Sequence, residues 1–391
     1  MTKNRYLKYY ILNDLKEKMV FIGGPRQVGK TTFSEKIITS QYKKSAYFNW
    51  DNRSDRKSIM ASEWPGDAEL IILDEIHKYK KWKRHIKGEY DKLKEKYHFL
   101  ITGSARLDTY RKGGDSLQGR YHYYRMHPFS IAELNGIVNE IKPFEELIIP
   151  SDNHNEQQLE ALFNFGGFPE PFLKHSKTVL RRWHNEKIER LFREDIRDIE
   201  NIRNLDNMIL LGDLLPAKVG SMLSINSLCS DIEASHRAVS SWLKILEAFY
   251  YQFRIYPFTG KRITSLKKES KLYLWDWSEI NDENSKFENM VGSHLLKMVH
   301  LLKDAEGYKT DLYFIRNTQK KEIDFLVTVK EKPWFCVEVK MGNENPSPNL
   351  YYYKDRLNIP FLYQVIKKPG IDKFVKGVRV ISANKFLNGL V

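Results

Sequence analysis

The run Gly24-Pro25-Arg26-Gln27-Val28-Gly29-Lys30-Thr31 places two glycines ahead of a lysine and a hydroxyl. That order of residue types suits a phosphate group. Glycine lets the backbone wrap the anion, the N–H groups of the loop and of the following helix point at it, and Lys30 reaches the terminal phosphates. The Thr31 hydroxyl can ligate magnesium, and Thr32 continues the same turn. A second string, Leu70-Ile71-Ile72-Leu73, ends in Asp74-Glu75. Asp74 is expected to hold the magnesium shell and Glu75 to polarise an attacking water. A third apolar run ends in Thr102-Gly103-Ser104, where Thr102 or Ser104 either senses the terminal phosphate or closes a plain turn. Arg120, after Ser116-Leu117-Gln118-Gly119, either supplies charge to a neighbouring subunit's phosphate or is a surface arginine.

A different chemistry is written near the other end. Glu322-Ile323-Asp324-Phe325-Leu326-Val327 and Phe335-Cys336-Val337-Glu338-Val339-Lys340 flank a short polar connection and read as a hairpin. With the loop at residues 330–332, Ile323 faces Val339, Phe325 faces Val337 and Val327 faces Phe335, which makes one face wholly apolar. The same register sets Asp324 opposite Glu338, with Lys340 two residues on. Carboxylates so placed can bind magnesium, and the lysine can orient or activate a water for attack on phosphorus. The Asp…Glu-x-Lys arrangement resembles the restriction-endonuclease-like nucleases, in which a glutamate on an earlier helix often completes the site. That resemblance makes Glu288 the third carboxylate, since residues 287–296 read helical and Gly292 would let them approach the sheet. The alternative is a charged strand pair forming an ion bridge, whether as a relic of such a site or by coincidence.

Between these regions, residues 224–232 and 235–247 read as two helices joined by a short turn, with Val239, Trp242, Leu243 and Leu246 on one face. His236, Arg237, Ser240, Ser241 and Lys244 are left outward, a set that suits a DNA major groove if the pair belongs to a winged helix. A winged helix also serves as a protein-docking scaffold. The aromatic run Tyr250, Tyr251, Phe253, Tyr256 and Phe258 is expected to pack the wing rather than to stack on bases.

These groups need a framework. In the first third, apolar runs at residues 19–23, 46–50, 70–73, 98–102 and 121–125 alternate with helical patterns, as a five-stranded parallel sheet demands. Beyond Pro128 the pattern turns helical, with Leu180, Trp183, Ile188, Leu191, Phe192, Ile196 and Ile199 near a 3.6-residue spacing. Strand patterns return at 271–277 and 311–316, and 342–350 reads as a loop. A chain of 391 residues implies more than one core. The net charge of +14 favours anionic partners, with a merely soluble basic surface as the alternative. Cys229 and Cys336 lack zinc-site spacing and read as reduced core residues of a cytoplasmic protein. No apolar run is long enough for a membrane span, and the charged amino-terminal segment does not read as a secretion signal.

The phosphate loop, Leu-Asp-Glu-Ile-His-Lys, Leu-Ile-Thr-Gly-Ser-Ala-Arg, Ser-Leu-Gln-Gly-Arg and Pro-Phe-Ser-Ile-Ala-Glu-Leu resemble prokaryotic AAA-family ATPases that carry a carboxy-terminal domain of unknown function. Gly166-Gly167-Phe168-Pro169-Glu170 and Phe287-Glu288-Asn289 resemble motifs of that second domain, so the likeness spans nearly the whole chain. It implies an α/β AAA fold, with ATP and magnesium as cofactors. His77-Lys78-Tyr79-Lys80 is more basic than that pattern and leaves room for an anionic partner. The expected organisation is an ATPase core at 1–135, a helical connector at 136–205, a winged helix at 206–262 and a restriction-endonuclease-like α/β domain at 263–391. Two readings follow. In one, ATP turnover controls engagement or cleavage of DNA or RNA; in the other, an ATP-gated switch docks a partner protein or a second copy through a non-catalytic terminal domain.

Overall fold

The computed structural model describes residues 5–103, 107, 117–150, 155–192, 204–260, 265 and 269–391. Ser104, Ser116, Ile196 and Ile199 of the sequence reading lie outside them. The chain forms two compact units: residues 1–128 with 248–250, and residues 129–247 with 251–391.

The first unit is built on five strands, β1 (Met19–Gly23), β2 (Ser45–Asn49), β3 (Leu70–Asp74), β4 (His98–Thr102) and β5 (Tyr121–Arg125), in the order β2-β3-β4-β1-β5. All four pairings are parallel. Strand β3 is buried throughout because helices cover both faces of such a sheet, which is why its sequence shows no alternation. On one face Trp82, Ile86 and Tyr90 of the helix Trp82–Leu93 pack with Phe21, Phe99 and Ile101. The registers Asn49↔Asp74, Asp74↔Thr102 and Ile22↔Thr102 bring the strand carboxyl ends to one edge. In parallel α/β sheets that edge is where ligands bind.

The second unit holds an eight-stranded mixed sheet. Its strands are β6 (Gln252–Pro257), β7 (Lys271–Leu274), β8 (Thr310–Arg316), β9 (Glu322–Val329), β10 (Lys332–Lys340), β11 (Phe361–Ile366), β12 (Asp372–Val375) and β13 (Val378–Ser382). They run in the order β12-β13-β11-β10-β9-β8-β6-β7. The expected hairpin forms, and Phe325↔Val337 and Val327↔Phe335 pair as read from the sequence. Its turn is the two residues Lys330 and Glu331, both at positive φ, and a register shift between Pro333 and Phe335 restores the apolar alignment. One expectation is corrected: the apolar residues do not all share a face, because Ile323 clusters with Leu326 and Cys336. The sheet is covered on both sides, so both faces of the hairpin are apolar.

The helix Glu283–Asp304 crosses the sheet, and a β-carbon at Gly292 would stand 2.7 Å from Phe325 Cζ. The close approach expected of Gly292 is thus present. Residues 129–135 belong to the second unit, because the helix Ile131–Asn135 is tied to the long helix: His294 Nε2 accepts the Ile131 N–H at 3.2 Å, and Lys297 bonds Ser130 and Glu133. β6 and β7 continue the large sheet, β6 pairing in parallel with β8 and antiparallel with the edge strand β7. No described helix is long and apolar enough to cross a membrane.

Candidate nucleotide site and carboxylate cluster

The phosphate loop leaves β1 at Gly24, where a β-carbon would meet the Met126 carbonyl oxygen at 2.5 Å. Gln27 and Gly29 adopt positive φ, which winds the loop tightly before the helical turn Lys30–Thr32 begins. Val28 is buried and anchors the loop from below, Arg26 and Gln27 are half-buried, and Thr31 and Thr32 are exposed. Lys30 Nζ donates to the carbonyls of Gly24 (3.0 Å) and Pro25 (2.7 Å), which holds the ammonium inside the loop. Arg5 was not foreseen, because nothing local marks it. Its guanidinium donates to the Val28 carbonyl at 2.8 Å and to the His127 carbonyl, pinning the loop from outside the motif.

Asp74 closes β3 beside this loop and accepts three hydroxyls: Thr31 at 2.9 Å, Tyr47 at 2.8 Å and Thr102 at 2.5 Å. The Thr31–Asp74 pair is the donor set a hard divalent cation takes, oxygen from a hydroxyl and from a carboxylate. Tyr47 was missed in the sequence. Its burial and the Asp74 charge push its phenol well up, so it stays a donor. Thr102 is placed on Asp74. Glu75 adopts positive φ, and its carboxylate lies 3.5 Å from His77 Nε2 and 3.6 Å from Lys78 Nζ. Burial first, then the Asp74 charge, raises its carboxyl above the usual range, with Lys30 opposing. A carboxylate shifted in that direction is a better base near neutral pH.

Arg120 is not brought to this edge of its own chain. It precedes β5, at the opposite end of the sheet from Gly24, and both guanidinium arms fork onto Asp91 at 2.7 and 3.1 Å. A contact with another subunit's phosphate would have to break that fork.

In the second unit, Glu288, Asp324, Glu338 and Lys340 converge on one end of the hairpin, but with an unforeseen partner. Lys271, the first residue of β7, places Nζ 2.5 Å from Glu322, 3.4 Å from Glu288 and 3.9 Å from Asp324. Burial alone would lower this ammonium; the three carboxylates carry it above its ordinary value. Tyr273 donates to Glu288 at 2.6 Å, and Asn289 locks the helix to β7 by bonding both backbone groups of Leu274. Asp324 accepts the Val339 N–H at 2.8 Å, and Lys340 pairs with Glu338 at 2.8 Å. Glu338 Oε2 is buried without a hydrogen-bond partner. Burial and the Asp324 charge push both Glu288 and Glu338 up to about 7, and burial raises Asp324 too. Among the described residues no three His, Cys, Asp or Glu side chains converge closely enough to hold a metal ion. The metal set expected at Glu288, Asp324 and Glu338 is therefore not preformed: Lys271 lies against Glu288 and Asp324, and Lys340 against Glu338.

The helices Ile225–Asp231 and His236–Ala248 bury Val239, Trp242, Leu243 and Leu246. His236, Arg237, Ser241 and Lys244 are exposed and Ser240 half-exposed, as the spacing predicts. Tyr250, Tyr251 and Phe253 are buried, so they pack rather than present open faces. The Gly166 motif serves packing: a β-carbon there would lie 2.7 Å from Asp276 Oδ1, and Asp276 accepts Trp183 Nε1 at 2.9 Å and pairs with Lys187 at 3.4 Å.

Residues 16–135 match the family model of an AAA domain. Residues 156–281 and 284–386 match two domains of unknown function, DUF8612 and DUF4143. Two uncharacterized proteins of Methanocaldococcus jannaschii are each 22% identical, with 86% of this chain and 78% of theirs covered. Among solved structures, a RuvB variant of Thermotoga maritima shares 14% identity over 63% of this chain and 86% of its own at a TM-score of 0.30. Caenorhabditis elegans PCH-2 shares 15% over 48% and 66% at 0.27. At such scores the structural likeness carries no weight.

Proposed function

We propose, from the premise that residues 16–135 form an AAA-family P-loop domain, that this chain binds ATP with magnesium and hydrolyses it to govern nucleic-acid engagement by its second unit. The observation that carries the ATPase reading is the Thr31–Asp74 hydroxyl–carboxylate pair at the mouth of the phosphate loop, with Glu75 beside it. Lys30 leaves its loop carbonyls for the terminal phosphates, Thr31 and Asp74 hold the magnesium shell, and Glu75 takes the proton of the attacking water. Magnesium supplies charge neutralisation at the β- and γ-phosphates.

In the second unit, the exposed cations of the helix His236–Ala248 and the bridge Met222↔Lys271 beside the β6–β7 hairpin support a winged helix that contacts phosphate backbone. The four groups at the hairpin end support a divalent-metal phosphodiesterase, with Asp324, Glu338 and Glu288 as ligands and Lys340 orienting water. The basic composition and free thiols fit a nucleic-acid partner in a reducing cytoplasm. The second reading, a non-catalytic docking domain, is favoured by Lys271 standing among the carboxylates. Labelled DNA and RNA, incubated with the full chain, magnesium or manganese, and with or without ATP, decide between them. Metal-dependent loss of substrate that Asp324→Ala abolishes while ATP hydrolysis survives is the expected result; intact substrate under every condition leaves the docking reading.

A further inference from the structure

Lys271 and the carboxylates around it come from different parts of the chain. Lys271 belongs to the region matched over 156–281, and Glu288, Glu322, Asp324 and Glu338 to that matched over 284–386. Four carboxylates there face three cations, Lys271, Arg316 and Lys340. With Lys271 withdrawn and the carboxylates ionised, only Arg316 and Lys340 would face four carboxylates, an imbalance that a divalent ion can offset. Glu338, 4% exposed and with Oε2 lacking a hydrogen-bond partner, marks an unused acceptor in the same cluster. A buried oxygen of this kind costs free energy unless something fills it.

We propose that Lys271 is a displaceable internal counter-ion that occupies the place of a divalent cation, so that the ammonium and the metal exclude each other at Glu288 and Asp324. The inference rests on the metal reading of the terminal domain and adds its regulation. Geometry supports exclusion rather than cooperation. Lys271 shares Glu288 Oε1 with the Tyr273 hydroxyl and approaches Asp324 Oδ1, so the oxygens a metal would take already face a positive charge. The shortest anchor of Lys271 is Glu322, which also pairs with Arg316 at 2.6 Å. Glu322 is thus the residue that holds the plug, and Arg316 keeps it from following the lysine. A phosphate of the nucleic-acid backbone is the natural acceptor for a displaced ammonium, which would couple metal loading to substrate arrival.

The test measures Mn²⁺ binding by titration calorimetry on the full-length protein and two variants, with ATP hydrolysis and thermal unfolding as checks of folding. Lys271→Met keeps the length of the side chain and removes its charge. It should tighten Mn²⁺ binding by about tenfold, the scale of coupling between mutually exclusive occupants. Glu322→Gln loosens the anchor and should tighten binding by a smaller factor, about threefold. Adding Asp324→Ala to Lys271→Met should abolish the gain. Equal Mn²⁺ affinity in wild type and Lys271→Met overturns the exclusion and leaves the metal reading intact. Weaker binding in Glu322→Gln also overturns it, because Glu322 would then be a ligand. Absence of Mn²⁺ binding in every form removes the metal reading and the plug with it. Metal binding without phosphodiester cleavage removes the nuclease alone and keeps the plug. Should Lys271→Met fail to fold, Glu322→Gln and its Asp324→Ala double variant carry the same decision.

Discussion

The two charged clusters of this protein are built in opposite senses. At the edge of the parallel sheet, Asp74 is surrounded by neutral hydroxyls, and Lys30 donates to the carbonyl oxygens of Gly24 and Pro25. Neutral hydroxyls and carbonyls thus hold both charged groups in place beside the phosphate loop. At the hairpin end, Glu288, Glu322 and Asp324 close on Lys271, and charge is spent inside the protein. Buried ion pairs return little net stability because desolvation offsets the Coulomb gain. A cluster of that kind is therefore better explained as a held state than as a stabilising device. The second unit carries further internal pairs of this kind at Asp276–Lys187 and Glu133–Lys297.

The largest effect should come from the open cluster. Glu75→Gln should retain ATP binding and slow phosphate release on the order of a hundredfold or more, since a carboxamide cannot take the proton of water. Lys30→Ala should instead weaken ATP binding itself, because the lysine meets ground-state phosphates. Fluorescent-nucleotide titration beside a phosphate-release assay separates the two; normal turnover in both variants would collapse the contrast between the clusters.

An intermediate effect is expected from the internally satisfied unit. His294 is fully buried, donates from Nδ1 to the Met290 carbonyl at 2.8 Å and accepts at Nε2, so it is held neutral, and burial pushes its pKa down to about 4. A depressed histidine contributes stability that is complete above its ordinary pKa near 6.5 and is lost as pH falls toward about 4. The loss should approach about 3 kcal/mol. Urea midpoints at pH 7 and pH 4.5 should diverge more in wild type than in His294→Gln, whose baseline is lower but flatter. Parallel pH profiles would show that this interior is not the acid-sensitive part.

The smallest effect concerns the exposed face of the helix His236–Ala248. If Arg237 and Lys244 contact phosphates, their double alanine variant should reduce the salt slope of nucleic-acid affinity by about two. An unchanged slope, read from binding isotherms at several salt concentrations, would take this face out of the interface.

How much of this was legible in the sequence depended on distance along the chain. The phosphate loop and the strand ending in Asp74-Glu75 are local: each is a short run whose residue types dictate both conformation and chemistry. The five parallel strands were legible as short runs rich in apolar and aromatic residues, unbroken only in the central ones such as Leu70–Leu73. Part of the hairpin register was legible too: Phe325↔Val337 and Val327↔Phe335 pair as their spacing implies, whereas Ile323 turns to the other face. What lay outside local pattern was missed. Arg5 reaches Val28 across 23 positions, and Tyr47 reaches Asp74 across 27. The fork of Arg120 to Asp91, 29 positions away, could not be seen in one dimension either.

By itself, then, the sequence determined the phosphate loop, the strands that carry it and the hairpin pairing of Phe325 with Val337 and Val327 with Phe335, since backbone conformation and side-chain alternation are properties of neighbouring residues. Only the tertiary structure decided that β6 and β7 join the terminal sheet and that residues 129–135 leave the first unit. It alone put the Lys271 ammonium among the carboxylates. An electrostatic partner is chosen by proximity in space, and the fold brings Lys271 to Asp324 through strand pairings and a helix contact that no single segment encodes.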